Sequence, residues 1–172
     1  MSKKITTKNP GETKDIAKKM IGEWLELNTN KNLVICLEGN LGGGKTTFAQ
    51  GLAEGLGIKE IVNSPTFLIM KKYTALNYGR QTSAYLSSVA SNKKYNLYHF
   101  DCYRVSSYQE ILDLGWEEII SGKNNIIAIE WSEKIRKILP KERMDIKFEF
   151  VNKKTRKIII GDIASGFPLL RE

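Results

Sequence analysis

Cysteine and histidine are nearly absent: the 172 residues include two cysteines and a single histidine. Cys36 and Cys102 lie in separate apolar runs with no ligand-type neighbours, so they form no metal framework and read as small core residues kept reduced. No apolar run approaches the roughly 18 residues of a membrane span. The start, MSKKITTKNP, has lysines but no apolar stretch after them, so neither a signal peptide nor a spanning helix is expected, and the reading is cytosolic. The Asn-Lys-x-Asp segment typical of guanine recognition is also missing. Asn92-Lys93-Lys94-Tyr95 and Asn152-Lys153-Lys154-Thr155 come nearest, and both lack the Asp. No linker-like stretch divides the chain, so residues 1–172 are expected to form one domain, and 41% hydrophobic content is enough for a sizeable core.

One charge sign is in excess, with a net charge of +8. Contact with RNA or with an acidic protein explains this, and so does a lysine-rich solvated surface, because the lysines are spread along the chain instead of clustering with aromatics. A modest concentration, Lys153, Lys154, Arg156 and Lys157, falls at a predicted hairpin turn.

The strongest positive feature is Gly39-Asn40-Leu41-Gly42-Gly43-Gly44-Lys45-Thr46, which fits G-x-x-x-x-G-K-[ST]. It follows the apolar run Leu33 to Leu37, a predicted strand. It precedes a predicted helix, Lys45 to Leu56, whose Phe48, Leu52 and Leu56 form a buried stripe. Glycines let successive backbone amides turn inward on phosphates, and the helix N-terminus adds its positive end. Leu41, Gly42, Gly43, Gly44 and Thr47 are the candidate cradle for a triphosphate. Lys45 would bridge the β- and γ-phosphates, and the Thr46 hydroxyl would ligate Mg²⁺.

Around this loop the pattern is that of an α/β protein. Asn9-Pro10-Gly11-Glu12 predicts a helix start with Asn9 as cap. The stripe Ile16, Met20, Trp24 and Leu27 continues that helix. Phe67 to Tyr73 and Leu97 to Tyr103 are strand candidates, Tyr108 to Leu114 and Trp116 to Ile120 helical, and Asn125 to Glu130 a short buried strand. Met144 to Val151 and Thr155 to Ile160 predict a terminal hairpin. The sum is a P-loop NTPase-like three-layer α/β fold with a mixed sheet, parallel at its centre and antiparallel toward one edge in a C-terminal hairpin. Residues 74–96, rich in Ser, Asn and Tyr and with Arg80 as their one arginine, read as a long variable loop with a disordered tip.

A phosphate loop needs a carboxylate at a neighbouring strand end to hold magnesium, directly or through water. Asp101 and Glu130 both end predicted strands, where open α/β sheets place their ligand crevice. Either suits the metal, leaving the other to orient the attacking water. Alternatively, Asp101 pairs with Arg104 and Glu130 caps the turn at Ser132. His99 shares the strand face of Leu97, Asp101 and Tyr103, so it is either a site residue or a structural one. Trp131 either stacks near the nucleotide or fills core space.

With these residues in order, the sequence resembles the bacterial TsaE (YjeE-type) ATPase family. The resemblance spans Glu12-Thr13, GNLGGGKTTF, SPTF at Ser64 to Phe67, YHFDCYR at Tyr98 to Arg104, EILDLGWEEII, and IEW ending in Glu130-Trp131. It implies an ATP- and Mg²⁺-dependent accessory ATPase that acts with TsaB-like and TsaD-like partners; turnover of the chain alone is expected to be slow, because no obvious cis arginine finger follows the SPTF segment and Arg104 is the only nearby candidate. Those partners build threonylcarbamoyladenosine beside the anticodon of tRNAs reading codons that begin with A, and ATP hydrolysis resets them. Contact with tRNA would be indirect. The resemblance further implies that Thr66 lies in a switch-like segment sensing the γ-phosphate. Asp101, Glu130 and Trp131 would be functionally required, Glu130 near the metal, and Thr13 and Arg156 would touch the nucleotide. Asn40 departs from the family's usual Asp, and the 74–96 loop exceeds its usual connection. Rival readings are a small-molecule kinase, which usually has an arginine-bearing lid, a nucleotide switch that does not hydrolyse, and a direct RNA binder.

Overall fold

Elements form along the chain where periodicity and capping permit. The computed structural model describes residues 2–26, 31–75 and 94–161. β1 (Lys3–Thr7) leads into α1 (Pro10–Glu26). The Glu12 amide donates to Asn9 Oδ1 at 2.9 Å, and the Glu12 carboxylate returns to the Lys8 amide and the Asn9 side chain, each at 2.7 Å. This reciprocal cap satisfies amides that the first helical turn leaves without partners. Met20 and Trp24 are buried and Ile16 partly so, as their stripe predicts, with Ala17, Ile21 and Leu25 widening it. Leu27 lies outside the described residues.

β2 (Leu33–Gly39) and α2 (Lys45–Gly55) bracket the glycine-rich loop. Next come β3 (Met70–Ala75), β4 (Tyr95–Asp101), α3 (Gln109–Leu112), α4 (Trp116–Ser121) and β5 (Asn125–Glu130). A 3₁₀ segment (Ser132–Ile138) precedes the hairpin of β6 (Met144–Phe150) and β7 (Arg156–Ile160). The seven strands lie in the order β1-β7-β6-β2-β5-β4-β3. β6, β2, β5 and β4 pair in parallel, and β3 and β7 pair antiparallel to their neighbours. The mixed sheet with a parallel centre and a C-terminal hairpin is therefore present, but the antiparallel pairing occurs at both edges, not one.

Strand alternation divides the core in two. Leu33, Ile35 and Leu37 face α1 and α2, while Val34 and Cys36 face the side of Trp116, Ile119 and Ile135. On β5, Ile126 and Ala128 take the first side, Ile127 and Ile129 the second. Successive strand side chains point to opposite faces, so a sheet covered on both sides reads as a continuous apolar run.

Three expectations need correction. The strand placed at Phe67 begins only at Met70: Leu68 N–H bonds Pro65 O at 2.8 Å, Met70 N–H bonds Leu68 O at 2.7 Å, and Ile69 has φ of +62°. A positive φ is rare for a β-branched residue, so this turn cannot be read from strand propensity. Phe67 is 83% exposed as a result. Both ends of the segment 74–96, placed as loop, are strand, since β3 runs through Ala75 and β4 starts at Tyr95. Arg80 and the predicted disordered tip lie outside the described residues. β1 is an additional strand, because Lys-Lys-Ile-Thr-Thr offers too little apolar content to announce itself and is stabilised by pairing with β7.

Candidate active site

The loop between β2 and α2 is shaped by close backbone approach. Gly39 has φ of +133°, and a Cβ there would sit 2.3 Å from the Phe148 carbonyl oxygen, so only glycine fits. Gly43 N–H closes the turn onto Asn40 O at 3.0 Å, and Gly44, with φ of +105°, precedes α2. The first-turn amides of α2 have no acceptor within the helix and constitute an anion-binding end.

Beside this loop lies a cleft of about 800 Å³. Its walls include Thr13, Leu41, Gly42, Gly43, Gly44, Lys45, Thr46, Thr47, Thr66, Asp101, Glu130, Trp131 and Arg156. The candidate phosphate, metal and nucleotide residues of the sequence thus line one cleft, whereas His99 is fully buried and Asn40 is not among its walls. The Lys45 ammonium is buried, donates to Gly39 O at 2.6 Å and Asn40 O at 3.0 Å, and sits 4.0 Å from the Trp131 ring centroid. Burial holds its pKa below the ordinary lysine range, against the opposing pull of Glu130, Glu133 and Asp101. Trp131 itself has φ of +58° and packs on Tyr103 at 5.1 Å between ring centroids.

The two carboxylates have separate partners. Glu130 accepts from the Thr46 hydroxyl at 2.8 and 3.0 Å and lies 2.8 Å from His99 Nε2. It does not cap the turn at Ser132: its side-chain hydrogen bonds among the described residues go to Thr46 and His99. Asp101 accepts from the Ser64 hydroxyl, from Thr66 Oγ1 at 2.6 Å and from the Tyr103 amide at 2.9 Å. Burial pushes the Asp101 carboxyl up, but those three hydrogen bonds outweigh it and hold its pKa below the usual range. Arg104 forms no pair with Asp101. Its guanidinium stacks over Phe67 at 4.6 Å.

Thr13 is buried with its hydroxyl 3.0 Å from Thr7 Oγ1. Arg156 donates to Gly42 O at 2.9 Å and, from Nη1, to Asn152 O and Thr155 O at 2.6 and 3.0 Å. It thereby ties the hairpin turn to the glycine-rich loop. Ser64, Tyr103, Lys8, Lys153 and Lys154 also line the cleft. Ser64 and Tyr103 belong to the recognised segments, and the hairpin lysines were visible as a basic cluster. Lys8 gave no signal, since only the pairing of β1 with β7 brings it there.

A family model described as threonylcarbamoyl adenosine biosynthesis protein TsaE matches residues 7–158, a span holding every candidate site residue. The chain belongs to the TsaE family. The TsaE protein of Bacillus subtilis (strain 168), named tRNA threonylcarbamoyladenosine biosynthesis protein TsaE, is 37% identical over 169 residues, covering 98% of this chain and 91% of that protein. The identically named protein of Treponema pallidum (strain Nichols) is 33% identical over 142 residues, covering 83% and 88%. The crystal structure of Bacillus subtilis YdiB resembles this fold with a TM-score of 0.65 at 33% identity, covering 93% of this chain and 84% of that one. TsaE membership and this likeness agree with a P-loop NTPase-like fold. No helix among the described residues is long and apolar enough to cross a membrane.

Proposed function

We propose that this chain is a Mg²⁺-dependent ATPase of the cytoplasm, an accessory to the machinery that forms threonylcarbamoyladenosine on tRNA. The observation that carries the proposal is the Thr46–Glu130 hydrogen bond beside the glycine-rich loop. A hydroxyl that donates to a carboxylate keeps its oxygen lone pairs for a cation. The pair offers the hard oxygen donors that Mg²⁺ prefers, with phosphate and water supplying the remainder. When bound, Mg²⁺ would neutralise charge on the phosphate oxygens.

The protein's own groups supply the remaining functions. Loop amides from Leu41 to Thr47 cradle the phosphates, and Lys45 provides the cation for the β- and γ-phosphates. Thr13 and Arg156 hold the nucleotide on the side of α1 and the hairpin. Glu130 serves the metal side. Asp101 anchors Ser64 and Thr66, so Thr66 is held where it can sense the γ-phosphate. Trp131 shields the Lys45 ammonium from water. Hydrolysis by in-line attack of water would be slow in the isolated protein, because no obvious arginine finger in cis follows the switch-like segment among the described residues; the candidate Arg104 has its guanidinium stacked over Phe67. TsaB-like and TsaD-like proteins are the proposed partners, reset by ATP hydrolysis, with tRNA contacted through them.

The test is the ATPase rate of wild type and Lys45→Ala, alone and with both partner proteins. A slow basal rate that rises with the partners and vanishes in the variant is the expected result. A rate indifferent to the partners would remove the accessory role. Full support of tRNA modification by a Glu130→Ala protein without turnover would favour a non-hydrolysing switch.

A further inference from the structure

Side-chain hydrogen bonding singles out His99, a residue that the proposed chemistry leaves without a task. It lies on β4, which pairs in parallel with β5 so that His99 stands opposite Ala128 and Asp101 opposite Glu130. The imidazole is fully buried, and its Nε2 reaches one step diagonally across the ladder to Glu130 Oε1 at 2.8 Å. Its Nδ1 has no hydrogen-bond partner among the described residues. A buried ring nitrogen without a partner carries a desolvation cost, and on its own face of β4 the ring stands between Leu97 and Asp101. A histidine serving only as filler would be outdone here by an apolar side chain.

We propose that His99 is a positioning residue for Glu130, fixing the rotation of the carboxylate that serves Thr46 and the nucleotide-bound cation. The inference rests on the ATPase reading above. The last torsion of a glutamate is broad and nearly two-fold, so its two oxygens exchange roles unless something outside the side chain distinguishes them. His99 does this. Oε1 accepts from Thr46 and His99, both at 2.8 Å, whereas Oε2 has only the 3.0 Å contact with Thr46. An ionised carboxylate only accepts, so Nε2 carries the hydrogen of the His99 bond. Oε2 is then the oxygen left with capacity for a further partner. This is the means by which outer partners orient the groups around a metal, and their loss typically lowers metal affinity about 10- to 100-fold.

The experiment compares wild type, His99→Leu and His99→Gln by titration with a fluorescent ATP analogue, with and without Mg²⁺, alongside thermal melts. Glutamine retains an N–H donor near the Nε2 position; leucine does not. The expected result is that the gain in affinity conferred by Mg²⁺ falls about tenfold in His99→Leu and largely returns in His99→Gln. Ring-nitrogen NMR of wild type needs no variant, because the chain has a single histidine. A protonated Nε2 whose resonance moves when Mg²⁺ and the analogue are added is expected, and an Nε2 that stays unmoved overturns the proposal. Equal losses in both variants, or an undiminished Mg²⁺ effect in a folded His99→Leu, also overturn it. A wild-type protein that binds the analogue equally with and without Mg²⁺ overturns the ATPase reading, and this inference with it.

Discussion

The Thr46 hydroxyl donates to both carboxylate oxygens of Glu130, at 2.8 and 3.0 Å, linking the start of α2 to the end of β5. Two groups that act through one shared bond lose function together, not in sum. Glu130→Gln and Thr46→Val are each expected to lower Mg²⁺-dependent ATP turnover about 100-fold or more, the scale for removing one pre-placed electrostatic group. The double variant should be little worse than either alone. Steady-state phosphate release measures this, and fully additive losses would show the two groups to be independent.

Asp101 sets an acid-side dependence. Its folded pKa lies below the ordinary value because donors from Ser64, Thr66 and the Tyr103 amide outweigh burial. A depressed carboxyl contributes stability that is complete above its unfolded value, about 3.9, and is lost as pH falls through the lower folded value. Thr66→Val removes one donor. It is expected to cost about 1.5 kcal/mol at neutral pH, on the scale of a hydrogen bond to a charged group. It should also move the onset of acid unfolding to higher pH, read by circular dichroism. An acid limb identical to wild type would refute the assignment.

Helix packing makes the opposite prediction from helix propensity. A Cβ on Gly51 would lie 2.6 Å from Lys14 O and 2.7 Å from Ala17 Cβ, and one on Gly55 would lie 2.4 Å from Ile21 Cγ2. Alanine favours an isolated helix by about 1 kcal/mol over glycine. At Gly51 it must instead push α1 away, an overpacking cost of about 1–3 kcal/mol. Gly51→Ala is therefore expected to lower the denaturation midpoint, and a stabilised variant would mean that the helices separate at no cost.

Burial pushes the thiols of Cys36 and Cys102 up to about 12. The thiolate is the reactive species, so both cysteines should resist a disulfide reagent in the native protein at neutral pH and react fully in denaturant. Fast native labelling would indicate that one core opens readily.

Much of the site was legible because its signals are local. Gly39 to Thr46 must be glycine-rich where backbone approaches Phe148, Asn9 and Glu12 cap a helix within four residues, and apolar runs end at Asp101 and Glu130. These depend on steric limits and periodicity over a few residues, which composition records directly. Which carboxylate serves Thr46 was not legible, because the answer lies in the parallel register of β2, β5 and β4. The same register gives His99 its partner. Docking of β1 on β7 brings Lys8 to the cleft, and the turn at Ile69 faces Phe67 outward against the pull of strand propensity. The chain by itself determined the glycine-rich loop, the helix start and the acidic strand ends, since each is set by neighbours in sequence. Only tertiary structure decided which of them touch, because side-chain pairing across a sheet depends on which strands lie adjacent and in what register.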